Sequence, residues 1–285
     1  MRYLIILILI PLIQLGLSFL GKEFIAIQHS FTAIHGFLLL QQICSVFLPT
    51  YLLFRKKRYL PKEEYTGVNF SEILHFAVIG ILLQLIGVAL NLPLNVLLRK
   101  LGCSPPSALP IAKTFLQFMI QSVVVCLVPA VFEEVLFRRM IFLEIKKKSS
   151  IAAILFSALF FSMAHIDFYN VPATLFIGCF LGIVRITGAP LILCITAHFF
   201  ANFSACVLNI LLKYPKLKRI FSLSLPFWVF LSFIIFIKIF PKKKELSEHS
   251  FINSKPFIRY IRSLLMNPLF YVFCILFVTL GVNRL

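Results

Sequence analysis

Inside the apolar stretch around VFEEVLFRRM (131–140) the chain carries Glu133, Glu134 and Arg138, and further on His165 in FSMAH and the pair His198 and Asn202 in HFFAN. An ionisable group at membrane depth is costly, and by default it marks a functional site. Glu134 and Arg138 stand four residues apart, the helical spacing of an ion pair. At about 100° per residue, Glu133 points about 140° away from Arg138, which leaves its carboxylate for chemistry. His198 and Asn202 are also four apart, so both can turn N–H groups toward one point. Glu133 with His165 has the make-up of a general-base pair, and His198 with Asn202 that of a donor pair for a developing oxyanion. Pro129, one turn before Glu133, removes a backbone bond and opens space beside the carboxylate.

Depth supports convergence of these groups. At the rise of a helix, Glu133 lies roughly 20 Å from the lysine run that starts at Lys146, and His165 about 25 Å from Ser149. His198 and Asn202 lie about 15 to 21 Å from Gly188. If those ends share one side of the membrane, the polar groups meet in one layer, where an unpaired group would cost on the order of several kcal/mol. The remaining charged and imidazole groups read as structural. Arg185 is expected to snorkel from a helix end as a topology anchor, with Arg139 a further topology signal. His29, His35, His75 and His249 are expected at span ends or in loops.

The elements that must position these residues follow from composition. Of 285 residues 60% are hydrophobic and 13% charged, and the mean hydropathy is +0.99, outside the range of water-soluble domains. The expectation is an all-α, polytopic membrane bundle in one domain, residues 1–285, with its core at 110–212. Apolar runs of spanning length predict eight or nine helices at 3–20, 33–54, 73–98, 114–145, 151–165, 172–186, 189–212, 220–240 and 266–282. The first is expected to be retained as a helix rather than removed as a signal peptide. The formal charge of +18 is clustered at 55–62, 138–148 and 238–262, which fall on one side and read as cytoplasmic loops, not as a nucleic-acid surface. The cluster KYPKLKR (213–219) falls on the other side, so a re-entrant span there or a count off by one stays open. Seven scattered cysteines lack metal-ligand spacing and read as small buried residues. The partners implied are the lipid bilayer and a membrane-associated substrate, with no nucleic acid.

EEVLFR (133–138), FSMAH (161–165) and HFFAN (198–202) fit EExxxR, FxxxH and HxxxN in order on successive helices. The chain thereby resembles the CPBP family, which comprises CAAX prenyl endopeptidases of the Ras-converting type, bacterial relatives in bacteriocin processing and self-immunity, and lysostaphin-resistance-like proteins. The resemblance covers residues 110–212 and implies an intramembrane glutamate-type endopeptidase. Carried over, Glu133 with His165 would activate water, His198 and Asn202 would hold the oxyanion, and Glu134 with Arg138 would support the site; Phe161 reads as packing. No cofactor is expected, although zinc on Glu133, His165 and His198 stays open, since one carboxylate and two imidazoles suit that metal; HExxH is absent. An ion-coupled transporter and a non-catalytic immunity protein are the competing classes. Transporters often carry internal repeats, and none is visible. The membrane expected is a bacterial plasma membrane rather than the endoplasmic reticulum.

Overall fold

The computed structural model describes residues 3–28, 30–54, 67–105, 109–239 and 254–282. Backbone in lipid must satisfy its own hydrogen bonds, and the described residues contain helices and no strand. In chain order, α1 is Tyr3–Gln28, α2 residues 31–54, α3 Phe70–Lys100, α4 Phe115–Lys146 and α5 Ser150–Ala164. A 3₁₀ turn, Phe168–Asn170, leads into α6, Val171–Ile186, followed by α7, Leu191–Leu211, and α8, Pro215–Ile239. The last two are α9, Ser254–Leu265, and α10, Pro268–Val282. Among the described residues seven helices are long and apolar enough to cross a membrane, or eight if α9 and α10, bent by 72°, form one span. The protein is thus an all-α, multi-pass membrane bundle. Polar side chains fix several helix starts: Thr114 accepts from the Gln117 amide, Ser149 from that of Ala152, and Asn69 forms a capping box with Glu72.

Three stretches differ from the sequence expectation. Residues 254–262 were read as basic loop, but α9 buries Tyr260 and Leu264 and leaves Arg259 and Arg262 exposed. Its apolar residues recur every three to four positions, and that spacing outweighs its charge. Arg138 and Arg139 lie in α4, inside the span expected at 114–145, so the basic loop expected over 138–148 begins only at its lysine end. At 213–219, Pro215 opens α8 as its first residue, a position that suits a residue without an N–H. Here α7 and α8 are both of spanning length, whereas α5, expected as a span at 151–165, is shorter than the spanning helices, so the count is seven or eight among the described residues rather than eight or nine. The segments 55–62 and 240–253, with His29 and His249, lie outside the described residues.

Short connections make α4, α5, α6 and α7 successively antiparallel. The Lys146–Ser149 and 187–190 turns therefore share one face, and the 165–170 turn lies toward the other. Small residues bring the helices close, as in other membrane bundles. Gly178 on α6 lies against Ala158 on α5, where an added Cβ would stand 2.9 Å from the alanine Cα. Gly80 on α3 faces the Ala197 carbonyl, which an added Cβ would overlap, one residue before His198. Gly80→Ala is expected to lower stability by about 1–3 kcal/mol through overpacking, measured as thermal unfolding in detergent. Gly16→Ala, where a Cβ meets nothing within 4 Å, is the control and should not lower it.

Candidate active site

Helix α4 is not a uniform α-helix, and its irregularities frame the site. It widens into π-helical turns at Ser122–Leu127 and at Val135–Ile141, a feature that recurs at functional sites. Pro129 follows the first of them. Its missing N–H is the donor that an α-helix would give to the Val125 carbonyl, and Asn202 from α7 donates its Nδ2 there instead, at 3.5 Å. The helix break that opens α4 is thereby tied to α7.

Glu133 and Glu134 point to different partners, as the angular argument from the sequence requires. Glu134 is fully buried; its Oε1 lies 3.2 Å from Arg138 Nη1 and accepts from His198 Nδ1 at 2.9 Å. The Arg138 guanidinium, also fully buried, donates to the Gly178 carbonyl at 3.3 Å and stacks 4.4 Å above the Phe161 ring. Phe161 also meets the rings of His165 and His198 edge to face, at 4.8 and 5.5 Å between centroids. It packs, as the sequence suggests, but it packs against three of the site's polar groups at once.

His165 caps the C-terminus of α5. The next residue, Ile166, is buried with φ of 49°, a left-handed conformation that a β-branched side chain adopts only under strain. The helix thus stops at His165 and does not carry the ring onward. His165 Nδ1–H donates to the Phe161 carbonyl at 2.8 Å, which leaves Nε2 as the lone-pair nitrogen of the neutral ring. That nitrogen lies 3.7 Å from Glu133 Oε2, beyond a direct hydrogen bond. Two acceptors at this separation are spaced to receive both hydrogens of one water molecule. Glu133 is 7% exposed, and its Oε2 has no hydrogen-bond partner among the described residues.

The structure adds a residue that the motifs do not contain. Gln42 of α2 donates Nε2 to Glu133 Oε1 at 3.3 Å, so one carboxylate oxygen is held and the other is left toward His165. The signal was present as two adjacent amides in LLLQQICSVF, an otherwise apolar span. Glu133, His165 and Asn202 line a cavity of about 580 Å³, with Gln42 and Pro129, that extends along α7 to Asn209 and Lys213. His198 is not part of that lining. The expectation that His198 and Asn202 aim N–H groups at one point is therefore modified. Glu134 takes Nδ1, and the remaining Nε2 donates only in the imidazolium form, for which the Glu134 carboxylate is the counter-charge.

Two other expectations change. Arg185 does not snorkel: it is 7% exposed and folds back to donate to the Ala189 carbonyl in the turn that follows α6. His35 lies near the start of α2, at the span end expected for it, but it is fully buried there, with Nδ1 on the Phe31 carbonyl at 2.8 Å. Of the trio Glu133, His165 and His198, the last gives its Nδ1 to Glu134; among the described residues no three His, Cys, Asp or Glu side chains are grouped to hold a metal ion.

Fold and site together define a multi-pass membrane protein in which a buried acid and histidine face a deep cavity. Residues 115–204 match the family model described as Type II CAAX prenyl endopeptidase Rce1-like. That segment, about a third of the chain, contains all six motif residues, and through it the chain is similar to the CAAX-type (CPBP) membrane proteases. No curated protein and no solved structure matches it significantly.

Proposed function

We propose that the protein is a glutamate-type intramembrane endopeptidase that cleaves a membrane-associated substrate without a metal. The observation that carries this reading is the pair of facing acceptors, Glu133 Oε2 and His165 Nε2, 3.7 Å apart on the wall of a cavity large enough for a peptide segment. A water held between them gives one proton to Glu133 Oε2 as its oxygen bonds to the scissile carbonyl carbon; the carbonyl π electrons move to oxygen. His165 Nε2 accepts the second hydrogen and orients the nucleophile. Asn202, on the cavity wall, donates to the developing oxyanion. When the carbonyl re-forms, the C–N bond breaks and the proton on Glu133 passes to the leaving nitrogen. Glu134 and Arg138 hold His198 and the α4 backbone in place.

The substrate is a prenylated CAAX-type protein or a peptide precursor such as a bacteriocin. The test is hydrolysis by the purified protein, in detergent, of a farnesylated CAAX peptide and of an unlipidated precursor peptide. Cleavage of neither would overturn the endopeptidase reading. Activity is expected to survive EDTA and phenanthroline, because the donor set does not assemble around one point; loss on chelation with recovery on zinc would overturn the metal-free mechanism.

A further inference from the structure

A second cavity, of about 160 Å³, adjoins the first at the Glu133 and His165 pair. It is bounded by α1, α2, α4 and the end of α5, and its lining includes Ile10, Gln14, Val46 and Phe137. Four residues, Gln41, Gln42, Glu133 and His165, line both cavities. The acid and histidine therefore line both the larger chamber and the smaller one. The smaller chamber could not hold a peptide segment, but it has room for several water molecules, each with about 30 Å³ in the liquid.

Its polar lining is also unusual for a bilayer. Gln14 sits in IPLIQLGLSF and Gln41 and Gln42 in LLLQQICSVF, runs otherwise suited to lipid. An amide in such a run is costly unless it meets a partner. Gln42 spends its Nε2 on Glu133, while its buried Oε1 and Glu133 Oε2 have no hydrogen-bond partner among the described residues. Polar walls and unmatched acceptors in a chamber of that size are the conditions under which a protein interior is wet.

We infer that the small chamber between α1 and α2 is a hydration site that supplies the hydrolytic water to Glu133 and His165 by a route other than the substrate cavity. The supply role rests on the endopeptidase reading; the hydration of the chamber does not. A hydrolase that works inside a membrane faces the difficulty that an apolar substrate filling its cavity excludes bulk water. Separate entry removes that conflict, because water reaches Oε2 while substrate occupies the larger chamber. Gln42 then acts as a positioning residue: it holds Oε1 and leaves Oε2 for the water.

Two measurements test this separately. In a background with the seven native cysteines replaced, Val46→Cys, in the small chamber, and Leu48→Cys, on the exposed surface of α2, are exposed to a small cationic methanethiosulfonate. Only a thiolate reacts, and a thiol ionises only where water is present. Val46→Cys is expected to label at least about tenfold faster; equal or slower labelling would overturn the hydration site whether or not the protein cleaves peptides. The second measurement uses Gln14→Leu, which alters the small chamber alone. Its kcat is expected to fall on the order of tenfold with KM unchanged and thermal stability retained, and Gln14→Asn to recover most of the loss. A rise in KM at constant kcat would overturn the supply role. If the unaltered protein cleaves no peptide, the endopeptidase reading fails, and labelling still decides whether the chamber is wet.

Discussion

Glu133→Gln is expected to leave a folded, membrane-inserted protein that has lost at least about 10³-fold of its peptide hydrolysis, within the range ascribed to a positioned general base. The amide keeps the size of the side chain and retains an oxygen to accept the Gln42 Nε2–H, so the packing of α2 on α4 should persist. What disappears is the capacity of Oε2 to take a proton from water beside His165 Nε2. Thermal unfolding and expression level establish that the protein is intact, and kcat/KM on the cleaved peptide gives the effect. Retention of more than about a tenth of the activity would mean that Glu133 is not the base, since removal of a general base lowers the rate by at least 10²-fold or so. The same variant separates a protease from a scaffold in cells: a cellular effect that survives Glu133→Gln at unchanged protein level does not depend on this chemistry.

Arg138→Leu should be the most destabilising single substitution in the bundle, at about 3–5 kcal/mol. Arg138 and Glu134 are both fully buried, and the leucine would leave a carboxylate in low dielectric with His198 as its remaining partner. It would also strip the Gly178 carbonyl of its guanidinium donor and Phe161 of its stacked cation. The control is the double variant Glu134→Gln with Arg138→Met. Replacing both members of a buried pair removes the uncompensated charge, and such exchanges are often neutral. Thermal unfolding in detergent should therefore rank the double variant above Arg138→Leu alone. The reverse order would mean that the pair contributes little and that the guanidinium acts mainly through Phe161 and Gly178.

Glu134, Arg138 and Glu133 illustrate how far helical periodicity reaches. Four-residue spacing correctly paired Glu134 with Arg138, and a five-residue offset directed Glu133 elsewhere, although Val135–Ile141 is π-helical. The near neighbours keep their relation because the extra residue per turn accumulates slowly. The spans were legible for a similar reason: lipid permits few backbone arrangements, so apolar length alone specifies helices. Where charge and apolar spacing compete, as in Ser254–Leu265, counting basic residues misread a helix as a loop.

Gln42 was not legible as a partner of Glu133, because 91 positions separate them and no local rule relates α2 to α4. The choice made by His198 was hidden in the same way. Spacing allowed its ring to join Asn202 at one point, and the packing of α7 on α4 gave its Nδ1 to Glu134 instead. The sequence by itself determined the all-α membrane class, the register of the charged residues on each helix and the family resemblance, all of which depend on local periodicity and on the cost of polar groups in lipid. Only the tertiary structure decided which acceptor faces which donor, which side chains line the two chambers, and that His165 stops 3.7 Å from Glu133. Those distances are set by helix crossings, by close contacts at Gly80 and Gly178 and by a left-handed turn at Ile166, which arise only when distant segments pack.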